Sequence, residues 1–173
     1  FSGAFPSGML TVEGSFRGGD QSGTIPAGAG LFVNGATAGG GGAVVNNGTI
    51  AGGNATAANA IGGAGVSLSN GVTLTNNGTI IAGTGSGGAG ATINMAGVAL
   101  NNGTALINNV DATIQGGNST QGGFVGAGVY MNIGTTSVTN YGTIQGGSDL
   151  SGTAAGKGAI LVHATGATIV NYG

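Results

Sequence analysis

The sequence predicts an all-β fold, a parallel β-helix of roughly five to six coils, and three observations carry that reading. First, a phrase recurs along the chain: VVNNGTI at Val44–Ile50, LTNNGTI at Leu74–Ile80, VTNYGTI at Val138–Ile144 and IVNYG at Ile169–Gly173, with a looser copy, LINNVDATI, at Leu106–Ile114. Its anchors Asn46, Asn76, Asn108, Asn140 and Asn171 stand 30, 32, 32 and 31 residues apart, and periods of this length mark repeat architectures. Second, apolar and polar residues alternate between the copies, the period of a strand with one buried face. Third, 43 of the 173 residues are Gly, yet 40% are hydrophobic and the net charge is only −2. Disorder combines low hydrophobicity with high charge, and collagen needs a triplet that is absent here.

The elements follow in chain order. Residues 1–20, with Phe1, Phe5 and Phe16, read as an irregular segment or cap, and residues 21–173 as repeats. DQSGTI at Asp20–Ile25 reads as an early copy of the phrase, 25 residues before Asn46 when anchored on Gln21. Within one period GVSLSN points Val66 and Leu68 inward, GVTLTNN does the same with Val72 and Leu74, and GTIIAG supplies Thr79, Ile80 and Ile81. Three short strands per period make one coil, and coils stack about 4.8 Å apart, so five intervals give a rod about 24 Å tall.

Stacking explains the repeated phrase. It places Ile25, Ile50, Ile80, Ile114 and Ile144 in one interior column. At the corner, Asn46, Asn76, Asn108, Asn140 and Asn171 form an amide ladder of the kind that stabilises stacked β structure. The Gly after the Asn pair is expected to bend the chain through a positive φ. The Gly-rich stretches between coils, such as AGGNATAANAIGGAG, vary in length and sequence. They read as loops on one flank, where repeat proteins tend to place binding. The chain ends inside the corner phrase, so an end-stacked continuation, either more chain or a neighbouring copy, is expected there.

Composition excludes several functions. With only Arg17 and Lys157 as cations, the chain lacks what phosphate neutralisation requires, so no nucleic-acid partner is expected. No apolar run reaches the length of a membrane-spanning helix, and the first residues show no signal-peptide pattern. There is no Cys, hence no disulfide and no thiol chemistry. The acids Glu13, Asp20, Asp111 and Asp149 are widely spaced and share no motif, whereas proton transfer on a polysaccharide needs clustered carboxylates. His163 is the sole histidine and reads as a strand residue without the partners of a triad or zinc site. The glycine runs accompany neither a P-loop lysine nor a regularly placed Asp, so no cofactor and no metal are expected. Sequons occur at Asn47–Thr49 and Asn118–Thr120. Thr49, Thr79, Thr113 and Thr143 should form an outer column, which β-propensity explains more simply than ordered-water binding. Tyr141 and Tyr172 replace Asn at the second corner position and should stack on each other one coil apart.

The phrases VTLTNNGTIIAG, SVTNYGTIQGG and GAGVYMNIG resemble the passenger-domain repeats of bacterial autotransporters and related β-helical surface adhesins, over residues 20–173. The resemblance implies a right-handed β-helix, secreted or displayed at the outer membrane of a Gram-negative bacterium. It implies a non-enzymatic role in attachment, aggregation or biofilm formation, with a surface protein or glycan as partner. Alternatives from other classes are a head-to-tail β-helical filament and a polysaccharide-acting β-helix enzyme. No outer-membrane barrel is part of this chain.

Overall fold

A computed structural model describes residues 2–5, 8–35, 41–86, 91–153 and 155–173. The chain winds as a parallel β-solenoid of about five turns with about 32 residues per coil. Strands β1 (Ser2–Phe5), β2 (Met9–Val12) and β3 (Ser15–Arg17) form the first coil, and β4 (Leu31–Gly35), β5 (Ala43–Asn46) and β6 (Thr49–Ala51) the second. The third holds β7 (Val66–Ser69), β8 (Thr73–Asn76) and β9 (Thr79–Ile81). A single helical turn, α1 (Ala91–Asn94), precedes the fourth coil of β10 (Val98–Asn101), β11 (Ala105–Asn108) and β12 (Thr113–Gln115). The fifth comprises β13 (Val129–Ile133), β14 (Ser137–Asn140) and β15 (Thr143–Gln145), followed by β16 (Ile160–Val162) and β17 (Thr168–Asn171). Strands at the same place in successive coils pair in parallel, giving two six-stranded sheets and one five-stranded sheet.

These strands are only three to five residues long, too short to hold a fold alone. Their stability comes from repetition, because each coil buries its apolar side chains against those of its neighbours. Leu31, Val66, Val98 and Val129 face one another in register along the first sheet, and Val44, Leu74, Leu106 and Val138 along the second. All of them are fully buried. A slip of one residue would turn each column to solvent, so the alternation fixes the register.

The third sheet carries the isoleucine column, and here one expectation is corrected. Ile50, Ile80, Ile114 and Ile144 align, but the residue beneath Ile50 is Phe16, not Ile25. Ile25 lies in an irregular segment after β3 and is 64% exposed. Pro26 follows it and removes a backbone N–H that a central strand would need, and no alternating strand precedes it. The true first corner is Val12–Phe16, in which Val12 sits under Asn46. Of the two readings of segment 1–20, irregular segment or cap, only the irregular one is corrected: its strands take the end position of all three sheets. Phe1 lies outside the described residues.

The corner glycines are the third correction. Gly48, Gly78 and Gly142 do not take a positive φ. A Cβ on Gly78 would instead sit inside the van der Waals radius of Gly48 O in the coil below. Glycine is needed there for close approach between coils. Left-handed backbone occurs at the other corner, where Asn70 and Gly71 have φ of 59° and 77° and Asn102 and Gly103 have 48° and 75°. Two consecutive residues of this kind make a tight turn that Asn-Gly accommodates.

Candidate functional site

The surface of the rod divides into its corners and a flank of projecting arms, and the corners are built for stacking. Asn46 Nδ2 donates to Asn76 Oδ1, Asn76 to Asn108 and Asn108 to Asn140, each at 2.8 Å, and Asn140 to Asn171 at 2.7 Å. The first four are buried. Their amides also meet the backbone: Gly48 N and Gly78 N donate to Asn46 Oδ1 and Asn76 Oδ1, and Asn76 Nδ2 donates to Gly78 O. Those contacts fix which end of each amide is the donor.

A second ladder runs outside the first, and the sequence reading missed it. Asn47 Nδ2 donates to Glu13 Oε1 at 2.8 Å, Asn77 Nδ2 to Asn47 Oδ1 at 2.7 Å, and Asn109 Nδ2 to Asn77 Oδ1. Glu13 as a carboxylate can only accept, so this chain of amides is oriented opposite to the inner one. Its signal was present in the doubled Asn of the corner phrase. In the next two coils the same place holds Tyr141 and Tyr172, whose rings stack with centroids 4.8 Å apart and planes 3° from parallel.

The remaining candidate residues do not converge. Asp111 lies in the corner between β11 and β12 with φ of 65°, whereas Asp149 lies on an arm, where it accepts from Ser151 N and Thr153 N. Asp20 accepts from Asn54 N at 2.7 Å and from Arg17 Nη2 at 2.6 Å. The Asn54 N–H and then the guanidinium hold its carboxyl below the usual carboxylate range. His163 is exposed, with Nδ1 2.8 Å from the Tyr130 hydroxyl and the rings edge to face at 5.2 Å. Among the described residues no group of three His, Cys, Asp or Glu is placed to hold a metal ion, and no helix is long and apolar enough to cross a membrane. Thr49, Thr79, Thr113 and Thr143 align on the outer face of the third sheet.

The arms are the least regular part of the surface and are joined to the rod by a backbone device that the sequence reading also missed. Each arm leaves after the third strand and returns before the next first strand. At its base the two limbs touch directly: Gly28 N donates to Gly19 O, Gly53 N to Gly28 O, Gly63 N to Gly53 O and Gly83 N to Gly63 O, at 2.7–3.0 Å. Higher up, Gly117 N donates to Met95 O, Gly126 N to Gly117 O, Gly147 N to Gly126 O and Lys157 N to Gly147 O. Outgoing and returning limbs thus alternate in a zigzag of hydrogen bonds along the rod. At several of these positions no side chain fits: a Cβ on Gly63 would overlap Gly28 O and one on Gly126 would overlap Met95 O. The glycine pairs at fixed distance after the third strand, as in Ile50–Gly53, Ile114–Gly117 and Ile144–Gly147, were the signal.

Beyond this neck the arms differ. The third folds α1 back so that Ile93 packs on Ala99 and Tyr130. Beside it a groove of about 220 Å³ remains open over the first sheet, with half-exposed Phe32 on its wall. The first arm exposes Ile25, the fourth Phe124 and the fifth Leu150. Compared with family models, with curated proteins and with solved structures, the chain matches none.

Proposed function

We propose that this chain is a non-enzymatic segment of an extracellular β-helix, displayed at a bacterial surface, that supports attachment or aggregation. The observation that carries the reading is the use of the polar side chains. Two antiparallel amide ladders commit the Asn residues of one corner to binding the adjacent coils. The acids sit apart, on a corner loop, on an arm and along the outer ladder. A rigid rod with irregular arms on one flank suits presentation of a surface, and the resemblance of its repeats to autotransporter passengers supports the same reading. A surface protein or glycan is the proposed partner.

Display of the chain on cells that lack adhesins of their own tests the proposal. Attachment to a surface or clumping is expected to rise relative to cells displaying an unrelated β-solenoid, and no rise would reject it. Purified protein is expected to turn over no polysaccharide. Turnover that is abolished by Asp111→Asn or Asp149→Asn would assign the enzyme class instead.

A further inference from the structure

Five asparagines in the chain are followed by glycine: Asn34, Asn47, Asn70, Asn77 and Asn102. Asparagine is thermolabile, and a following glycine, with no Cβ in the way, offers its N–H as a nucleophile to the side-chain amide carbon. The fold holds four of these pairs against that reaction. Asn34 and Gly35 lie inside β4, paired with β1, and Gly35 is buried. Gly48 N and Gly78 N donate to Asn46 Oδ1 and Asn76 Oδ1, while the Asn47 and Asn77 amides are tied into the outer ladder. At the opposite corner Gly71 N donates to Asn102 O at 3.0 Å, and Asn70 Nδ2 to Asn34 Oδ1 at 2.7 Å. Asn102–Gly103 is different. Both residues are exposed and left-handed, with φ of 48° and 75°. Among the described residues Gly103 N meets no hydrogen-bond acceptor, and Asn102 Nδ2 reaches Asn70 Oδ1 only at 3.4 Å. The next coil sets Gly134 against Asn102, so no further amide continues this column.

We propose that Asn102–Gly103 is a modification site at which this rod deamidates without an enzyme, ahead of the other four pairs. Gly103 N loses its proton to solvent base and attacks Cγ of Asn102. A C–N bond forms and closes a five-membered succinimide, and the Cγ–Nδ2 bond breaks to release ammonia. Water then opens the ring at either carbonyl and leaves aspartate or isoaspartate at position 102. One amide and one water are consumed, and one carboxylate and one ammonium are produced. Ring closure requires the amide carbon and the glycine nitrogen to turn toward each other. At the four held pairs that turn breaks a strand pairing or a hydrogen bond of the glycine or the side chain. At Asn102 it gives up only the long contact to Asn70. The product alters the column that Asn102 ends. A carboxylate only accepts, so residue 102 no longer donates to Asn70 Oδ1. One negative charge is added to a column of neutral amides, in a chain whose net charge is −2. The isoaspartate form also reroutes the main chain through the side-chain carbons and lengthens the link between β10 and β11.

The test uses the full chain, held at mildly alkaline pH and below its melting midpoint. Conversion at each Asn-Gly pair is followed over time by proteolysis and tandem mass spectrometry, with isoaspartate scored by enzymatic methylation. Asn102 is expected to convert about tenfold faster than any other pair, the factor that one retained hydrogen bond is worth. In the chain unfolded by denaturant the five pairs share the same following residue and should convert at similar rates. Asn102→Asp fixes the charge of the product and should elute from anion exchange with the aspartate form of the aged parent. Asn102→Gln keeps an amide but disfavours the five-membered ring, so it should remove the fast step and leave the other four pairs unchanged. Another pair converting first in the folded protein, or comparable rates at all five, would overturn the proposal. The same lead for Asn102 in the unfolded chain would assign it to local sequence and overturn the role given to the fold.

Discussion

Thr104 and Thr136 are buried in adjacent coils, and neither hydroxyl has a hydrogen-bond partner. One coil earlier the equivalent place is held by Val72, also fully buried. The site therefore accepts a branched apolar side chain of the same shape, and the hydroxyl brings only desolvation. Thr104→Val is expected to stabilise by about 1 kcal/mol, since a buried unsatisfied group costs about 1–3 kcal/mol. A denaturant midpoint unchanged or lower in the variant would contradict this. The inner ladder gives the opposite sign. Asn76 touches Asn46, Asn108 and two backbone groups of Gly78. Asn76→Ala leaves the Asn46 and Asn108 amides and the Gly78 N–H short of a partner, and should destabilise by about 2 kcal/mol or more. Equilibrium unfolding checks it, and an unchanged midpoint would show that the ladder contributes nothing.

At the scale of elements, the two kinds of corner glycine make separate demands. Gly71 has a left-handed backbone, and a Cβ there would make only ordinary contacts with Gly41, so Gly71→Ala should cost the left-handed penalty of about 1–2 kcal/mol. Gly78 has ordinary backbone but no room over Gly48 O, so Gly78→Ala must push two coils apart. It is expected to lower the melting midpoint more than Gly71→Ala, and the reverse order would refute the close-approach account. This difference also shows what the sequence could express. Strands, inward faces and the Asn ladder were legible because they follow from a period of two within a period of about 31, both visible in one dimension. The reason for Gly78 was not, because its nearest atom is 30 residues away and a positive φ is the more familiar use of Asn-Gly. Ile25 misled for a related reason: GTI is a three-letter match, while the strand that must precede it and the absence of a following Pro are what make a corner. The neck was missed because its glycines look like loop composition until both limbs of an arm are seen to touch. The groove beside Phe32 depends on where α1 folds back, which no local pattern encodes.

At the scale of the whole molecule, the rod behaves as a stack whose rungs are nearly interchangeable, and this makes a deletion informative. The ladder and core contacts that join the second coil to the third have counterparts joining the third to the fourth: Asn46–Asn76 and Asn76–Asn108, Val44–Leu74 and Leu74–Leu106, Ile50–Ile80 and Ile80–Ile114. Removing residues 47–76, the 30 residues of one ladder step, joins Asn46 to Asn77 and brings β5 under β11 with the same register. Leu31 and Val33 then meet Val98 and Leu100, and Gly83 comes to stand over Gly28 in place of Gly53. In a solenoid, stability is close to a sum over coils and the interfaces between them. The shortened chain should therefore fold to the same β-rich spectrum and unfold cooperatively, with a lower midpoint because one interface is gone. Removing residues 47–61 instead shifts every strand above the cut by half a coil, sets apolar columns against polar ones and should abolish folding. Circular dichroism with thermal melting of the two deletions decides the matter. Equal damage from both would mean that the coils depend on their individual sequences and that stacking by a shared period does not hold this fold together.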